Sequence, residues 1–457
     1  MEHRHSGEWR HKANKIDSPK EADCILGEHF ETINETVRKP TLKYWRDGFH
    51  HWHEGAWRLL ESGAMLQIVS GHLGAKFEGV GNSHIANVTS FLKGKCFLNG
   101  AIAQNTWFND VDRGPRIAVE NGLIDPETGT LEPDTPDWFS RVKLPVVHDP
   151  AATCDQWMKT LFVNLECDTE RIAILQEFTG YLLWPRLTFQ KYLTLLGEGG
   201  NGKSVFIAGL QALLGRPNTS NYSLKSLGDN RFAAGGTIGK LANLCADISE
   251  INKVCEGVLK QLVSGDVITI DRKHQSMLDV TPTAKLVFSA NNLPRFTDRS
   301  SGMTRRMIIV PFNRTVPEDE KVLDMDKPEF WMSELPGILN WALEGLVRLR
   351  QKNGFTDSVE TREAAEEYRL DHNPAAVFIE ERLVVNEDPN SWVLKSDVYR
   401  SYRDWCTSHG RKPLGDAEFG KEVRRALNVK DGRQRIDGVR QRVYYMLKLI
   451  RDSTFTF

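Results

Sequence analysis

Residues 197–204 read Gly197-Glu198-Gly199-Gly200-Asn201-Gly202-Lys203-Ser204, which matches G-x-x-x-x-G-K-[ST] at every fixed position. In such a loop the glycines let successive backbone N–H groups face a phosphate. A lysine at the position of Lys203 reaches the β- and γ-phosphates, and a hydroxyl at Ser204 holds Mg²⁺. The flanks supply the context: Tyr192–Leu196 is an apolar run of strand length, and Val205–Leu214 is an apolar run of helix length. The helix N-terminus adds positive field where the phosphates sit. A strand, a glycine loop and a helix in that order bind a nucleoside triphosphate with Mg²⁺.

Further residues of chemical interest follow at short intervals. Lys240–Asp247 is a mostly apolar run ending in an acid, and a carboxylate there sits beside the phosphate loop as an oxygen ligand for Mg²⁺. Glu250 is a candidate for orienting the attacking water. Lys285–Ala290 is a second apolar run, and Asn291 behind it can hydrogen-bond a γ-phosphate or its water without adding charge. Arg305 and Arg306 precede a third run, Met307–Phe312. A guanidinium supplied by a neighbouring subunit stabilises transition-state charge. Between these runs, 267–275 reads as a strand entering a turn with a basic tip, Arg272, Lys273 and His274, suited to gripping a phosphate backbone.

These residues must be held by more than one domain. The chain has 457 residues, a net charge of −2, 40% hydrophobic and 26% charged residues, within the ordinary range for globular protein and enough for two to four domains. Seven scattered cysteines with no C-x-x-C spacing fit a reducing compartment, with neither a zinc site nor a disulfide framework. The polar first 25 residues carry no signal-peptide core, and no apolar run approaches membrane-spanning length. A cytoplasmic protein without a membrane partner is expected.

The patterning predicts an α/β chain with five parts: a flexible polar arm over 1–40, an N-terminal domain over 41–185, the nucleotide-binding domain over 186–350, a linker over 351–373, and a C-terminal domain over 374–457. Gly48–Arg58 alternates like a hairpin turning at Glu54-Gly55, residues 110–150 read as irregular connections, and 151–185 has helical spacing. The tail reads as helices over Lys395–Ser408 and Asp416–Leu427, then a hairpin turning at Asp437-Gly438. Over 391–457 there are 15 Lys and Arg against 8 Asp and Glu. Arg433, Arg435, Arg440 and Arg442 on that hairpin suit phosphate contact.

Phosphate loop, acid-ended strand, basic hairpin, Asn-ended strand and twin arginines, all within about 110 residues, resemble a superfamily III helicase. The closest likeness is to phage and plasmid primase–helicases related to the poxvirus replication ATPase. Matching text includes 118–125, 144–146, 180–183, 262–266 and 307–312, so the likeness spans roughly residues 45–350. It implies an AAA+ P-loop ATPase core, a mainly helical N-terminal collar and a C-terminal winged-helix-like domain. The implied assembly is a homo-oligomer, a hexameric ring translocating on single-stranded DNA and opening forked DNA, with a primase or polymerase as partner.

By the same likeness Lys203 and Ser204 bind ATP–Mg²⁺, Asp247 is the acidic strand residue, and Asn291 is the sensor. Arg305 or Arg306 is the finger, and Lys273 with His274 forms the DNA-gripping hairpin. The sequence Ala246-Asp247-Ile248-Ser249-Glu250 departs from adjacent acids, which leaves Asp247 and Glu250 both open as the water-activating residue. Two other readings stand beside the helicase: a bifunctional primase–helicase, and a non-unwinding origin-binding ATPase switch. His51-Trp52-His53 imitates a nicking-enzyme pair, but no tyrosine occurs between Tyr44 and Tyr181 to act as nucleophile. Asp110-Val111-Asp112 imitates a primase metal pair, with too little chain before it for a primase fold.

Overall fold

The computed structural model describes residues 11–34, 37–46, 48–108, 113–184, 186–229, 231–246, 252–254, 256–272, 275–296 and 301–450. Near the N-terminus, Asp17 caps helix α1 (Ser18–His29) by accepting the Lys20 N–H, and Pro19 occupies its first turn. Ala22 and Ile25 of α1 are buried with Phe30, Leu42, Val69 and Leu92. Over Ser18–Phe30 the chain is therefore packed rather than a loose arm; residues 1–10 of the expected arm lie outside the described residues. The helix carries few apolar residues, so its packed face is easily missed in a charged stretch.

A meander follows, of strands β1 (Leu42–Trp45), β2 (Gly48–His53) and β3 (Ala56–Leu59). Its second turn falls at Glu54-Gly55, both at positive φ. Helices α2 (Ser62–Lys76) and α3 (Asn82–Lys95) pack with α1. A small antiparallel sheet then forms from β4 (Ile117–Val119), β5 (Gly122–Ile124) and β6 (Leu131–Glu132). Residues 41–185 are therefore mixed rather than mainly helical, and 110–150 is not simply irregular. Strands of two or three residues between Gly and Pro are too short to leave a readable period.

Helices α4 (Asp155–Asn164) and α5 (Thr169–Leu183) lead into the central sheet. Its strands are β7 (Tyr192–Leu196), β8 (Thr219–Ser220), β9 (Ala242–Cys245), β12 (Lys285–Ala290) and β13 (Met307–Pro311), with α6 (Lys203–Leu214) after β7. Between β9 and β12 an antiparallel hairpin forms from β10 (Ile268–Arg272) and β11 (Gln275–Val280). The sheet order is β8-β9-β12-β7-β13, and every pairing is parallel. Continuous apolar runs suit such strands, because both faces are covered.

One core joins this sheet to α4, α5, α6 and the later helix α7 (Leu335–Lys352). Trp157 of α4 stacks on Phe206 of α6 with ring centroids 5.5 Å apart. The expected boundary at 185/186 thus runs through shared hydrophobic packing. The expected linker over 351–373 contains helix α8 (Val359–His372), capped by Ser358. Its Tyr368 is buried against the sheet's second core, and its hydroxyl donates to the Pro294 carbonyl at 2.6 Å. A helix with one buried face and few apolar residues reads as a linker because so little of it is apolar.

The C-terminal unit has its own core. Its elements are α9 (Pro374–Arg382), β14 (Leu383–Val385), β15 (Trp392–Leu394), α10 (Lys395–Ser408), α11 (Asp416–Leu427), β16 (Asp431–Ile436), β17 (Val439–Tyr445) and β18 (Leu447–Leu449). Strands β15-β17-β16 form one antiparallel sheet, and β14 pairs with β18. Asp437 and Gly438, both at positive φ, form the two-residue turn between β16 and β17. Among the described residues no helix is long and apolar enough to cross a membrane.

Candidate functional site

The phosphate loop joins the carboxyl end of β7 to the first turn of α6. Gly202 takes φ +86°, and a Cβ there would lie 2.1 Å from Asn164 Nδ2, so both the backbone and the neighbour demand glycine. A Cβ on Gly197 would meet the Phe312 carbonyl oxygen at 2.3 Å. The crest, Glu198 to Gly200, is exposed, and Ser204 is exposed on the first turn of α6.

Lys203 is buried, with its Nζ donating to Gly197 O at 2.6 Å, Glu198 O at 2.7 Å and Asn201 Oδ1 at 2.8 Å. All three acceptors are neutral, and burial lowers the lysine below its ordinary value. A desolvated ammonium satisfied only by loop oxygens gains a counter-charge when an anion enters the loop. The loop also faces the N-terminus of α6, so glycine backbone, cation and helix end fit a polyphosphate. The expected holders of a Mg²⁺ that would neutralise phosphate charge here are Ser204 and Asp247; Ser204 lies on the first turn of α6, and Asp247 lies outside the described residues.

Asn201 is tied in two directions. Its Oδ1 accepts from Lys203, and its Nδ2 donates to Phe312 O at 2.8 Å. Val316 N–H donates to Gly200 O at 2.8 Å, a second strap between the loop and the chain leaving β13. Below them the buried Arg171 of α5 donates to Pro311 O at 2.8 Å and to Asp168 at 2.6 Å. Asn164, Arg171 and Phe312 escape the sequence reading. For Asn164 a signal exists: it shares a helix face with Trp157 and Leu161, and a polar residue on that face needs a reason.

Parallel register fixes where the other candidates stand. Leu196 pairs with Ala290, and the Gly197 N–H donates to Ala290 O at 3.1 Å, so Asn291 follows β12 at the edge that carries the loop. Asn291 is exposed there. Asp247 and Glu250 follow β9, the neighbour of β12, but lie outside the described residues.

Arg305 and Arg306 stand at the opposite edge. Tyr192 pairs with Met307, and Lys191 Nζ donates to Arg305 O at 2.5 Å. Five strand residues of about 3.3 Å each separate this edge from the loop, roughly 16 Å. Arg306 is anchored, donating to Gly302 O at 2.6 Å and Ser264 Oγ at 2.8 Å. Arg305 is exposed, and its guanidinium makes no hydrogen bond or ion pair among the described residues. Lys191 is held below its ordinary value by burial first and then by the two arginines. This edge is cationic, and Arg305 is its free group.

The β10–β11 hairpin pairs Arg272 with Gln275; Lys273 and His274, between them in sequence, lie outside the described residues. In the C-terminal unit Arg433 pairs with Arg442 and Arg435 with Arg440, all four exposed. Directly opposed like charges weaken a strand pair. An anionic partner would relieve that repulsion.

Two family models match the chain: a family of unknown function (DUF5906) over residues 195–306, and the poxvirus D5 protein-like family over residues 370–450. "Putative helicase L207/L206" of Acanthamoeba polyphaga mimivirus is 23% identical over 379 residues, which cover 71% of this chain and 37% of that protein. "Putative helicase 121R" of Invertebrate iridescent virus 3 is 22% identical over 381 residues, covering 72% and 39%. The chain thus spans well under half the length of these relatives.

Among solved structures, the A form apo structure of the NrS-1 C-terminal region superposes with a TM-score of 0.53 at 12% identity, covering 89% of this chain and 95% of that one. A further apo structure of that region gives 0.50 at 11% identity, covering 94% and 100%. These likenesses share the mixed α/β fold over nearly the whole chain. The chain is thus similar to the poxvirus D5 protein-like family over its C-terminal unit and to viral proteins named putative helicases over 71% and 72% of its length, while the superpositions show a shared fold.

Proposed function

We propose that this chain is an ATP-dependent DNA helicase of replication, built on a superfamily III AAA+ core and working as a hexameric ring. One observation carries the reading. The phosphate loop and the free cation Arg305 occupy opposite edges of one parallel sheet, so a single copy cannot bring them together. Head-to-tail packing of copies around a closed ring would set the Arg305 edge of one subunit against the loop of the next.

In that arrangement Lys203 and the loop N–H groups bind the β- and γ-phosphates, with Ser204 and Asp247 holding Mg²⁺. Asn291 orients the γ-phosphate or the water beside it, and Asp247 or Glu250 activates that water. Arg305 stabilises transition-state charge in trans, and Arg306 fixes the turn that presents it. Arg272, Lys273 and His274 grip single-stranded DNA in the ring. The C-terminal unit is read as a winged-helix-like domain whose Arg433, Arg435, Arg440 and Arg442 contact duplex phosphates at the fork. Residues 41–185 act as the collar that helps the ring assemble, a primase or polymerase is the partner proposed, and the site of action is the host cytoplasm.

Strand displacement on a forked duplex tests this. The assembled protein is expected to separate the strands only with ATP and Mg²⁺, and Lys203→Ala to abolish separation. DNA-stimulated hydrolysis by an assembled ring without any displacement would contradict the helicase and favour an ATPase switch.

A further inference from the structure

A groove of about 520 Å³ lies in the C-terminal unit between the first turn of α10, helix α11 and the β16–β17 hairpin. Four cations line it: Lys395, Lys421, Arg424 and Arg442. Alternation along the hairpin puts Asp431, Arg433 and Arg435 on one face, opposite Tyr444, Arg442 and Arg440. The groove and the arginine pairs therefore form one continuous cationic surface, with Asp431 where hairpin and helices meet.

Asp431 is shared by two of those cations. Lys395 Nζ donates to its Oδ2, and Arg424 Nη1 reaches the same oxygen at 3.2 Å. Hydrogen bonding from Lys395, then its charge and that of Arg424, hold the carboxyl below the usual range. One oxygen gripped by a lysine and an arginine has the donor set of a bound phosphate oxygen. Lys421 is exposed and makes no hydrogen bond or ion pair among the described residues. The groove's other carboxylate, Asp416, stands at the N-terminal turn of α11 and bars a phosphate from that end.

We propose that this groove continues the arginine face as a track for the DNA phosphodiester backbone, with Asp431 as an internal stand-in for a phosphate. Without DNA, Asp431 keeps Lys395 and Arg424 in place; an arriving phosphate takes them over. This rests on the reading of the C-terminal unit as a DNA-contacting domain, and adds Lys395, Lys421 and Arg424 to it. It also makes a prediction that simple charge counting on the arginines does not: removing one particular carboxylate changes binding by freeing two preset donors.

The test is binding of a fluorescently labelled forked DNA to the full chain across a salt series without nucleotide. Asp431→Asn is expected to tighten binding at least threefold and to steepen the log–log salt dependence by about one or two. Lys421→Ala is expected to weaken binding several-fold and to flatten that dependence by about one. Both variants should keep the DNA-independent ATP hydrolysis of the parent.

If Asp431→Asn binds no tighter with its melting temperature unchanged, the stand-in role is overturned. Should Asp431→Asn unfold, Lys421→Ala decides, because Lys421 makes no contact on which the fold relies; wild-type affinity there overturns the track. Loss of affinity in Arg433→Ala and Arg440→Ala alone would sink the groove and spare the arginine face. No loss in any variant would sink both.

Discussion

Asn201 Nδ2 donates to the carbonyl oxygen of Phe312 at 2.8 Å, which ties the residue two before the loop lysine to the end of β13. The other end of that strand opens at Met307, next to Arg306 and Arg305. One strand therefore connects the phosphate loop with the cation proposed to act on a neighbouring copy.

Replacing Asn201 by alanine leaves the buried Phe312 carbonyl without its side-chain donor. The expected cost is about 1–3 kcal/mol of stability in denaturant unfolding. Hydrolysis is expected to fall at least tenfold, because Lys203 loses one of its three positioning acceptors. Wild-type stability and turnover together would remove Asn201 from the site.

The two arginines should separate cleanly. Arg305→Ala is expected to leave the melting temperature unchanged and to cut hydrolysis by the assembled protein, on the order of 10³-fold. Arg306→Ala breaks the bonds to Gly302 O and Ser264 Oγ, so it should lower the melting temperature. Differential scanning calorimetry beside a steady-state ATPase assay reads both. The reverse pattern would exchange their roles.

Lys285 supplies a pH signature. It is fully enclosed at the start of β12, its Nζ donates to the Trp184 carbonyl and lies 5.1 Å from the Tyr181 ring centroid, and burial pushes it down to about 7. Between pH 7 and its unfolded value the unfolded chain binds more protons than the native one, so stability rises with pH in that window. The penalty is fully present below pH 7, where both states are protonated. Urea unfolding from pH 7 to 9 should show the rise in the parent and a flatter profile in Lys285→Met, whose volume is similar. Equal slopes would mean that Lys285 is not the titrating group.

Lys273→Ala is expected to keep basal hydrolysis and lose its stimulation by single-stranded DNA. Equal stimulation in parent and variant would remove the β10–β11 hairpin from the DNA grip.

Four of the five strands of the sheet were legible because each lies in a mostly apolar run beside candidate site residues, as in Tyr192–Leu196 before the loop and Lys285–Ala290 before Asn291; the two-residue polar strand Thr219–Ser220 was not. Both hairpin turns were legible too, since Glu54-Gly55 and Asp437-Gly438 carry the residue types that positive φ favours. Packing was not. Helices α1 and α8 bury only a few side chains each, and their charge concealed them. Nor can spacing along a chain place Asn164 against Gly202, join Asn201 to Phe312, or distinguish a tethered Arg306 from a free Arg305. Those depend on contacts between residues far apart in sequence, which only the fold creates.

The central claim is that the site is completed by a second copy of the chain, and subunit mixing tests it most directly. Lys203→Ala and Arg305→Ala are each expected to be inactive in hydrolysis alone. Mixed before assembly, they form junctions that pair an intact loop with an intact Arg305, so activity should return to a measurable fraction of the parent and depend on the mixing ratio. Inactivity at every ratio in rings shown to contain both variants, or full activity of Arg305→Ala alone, would contradict the account.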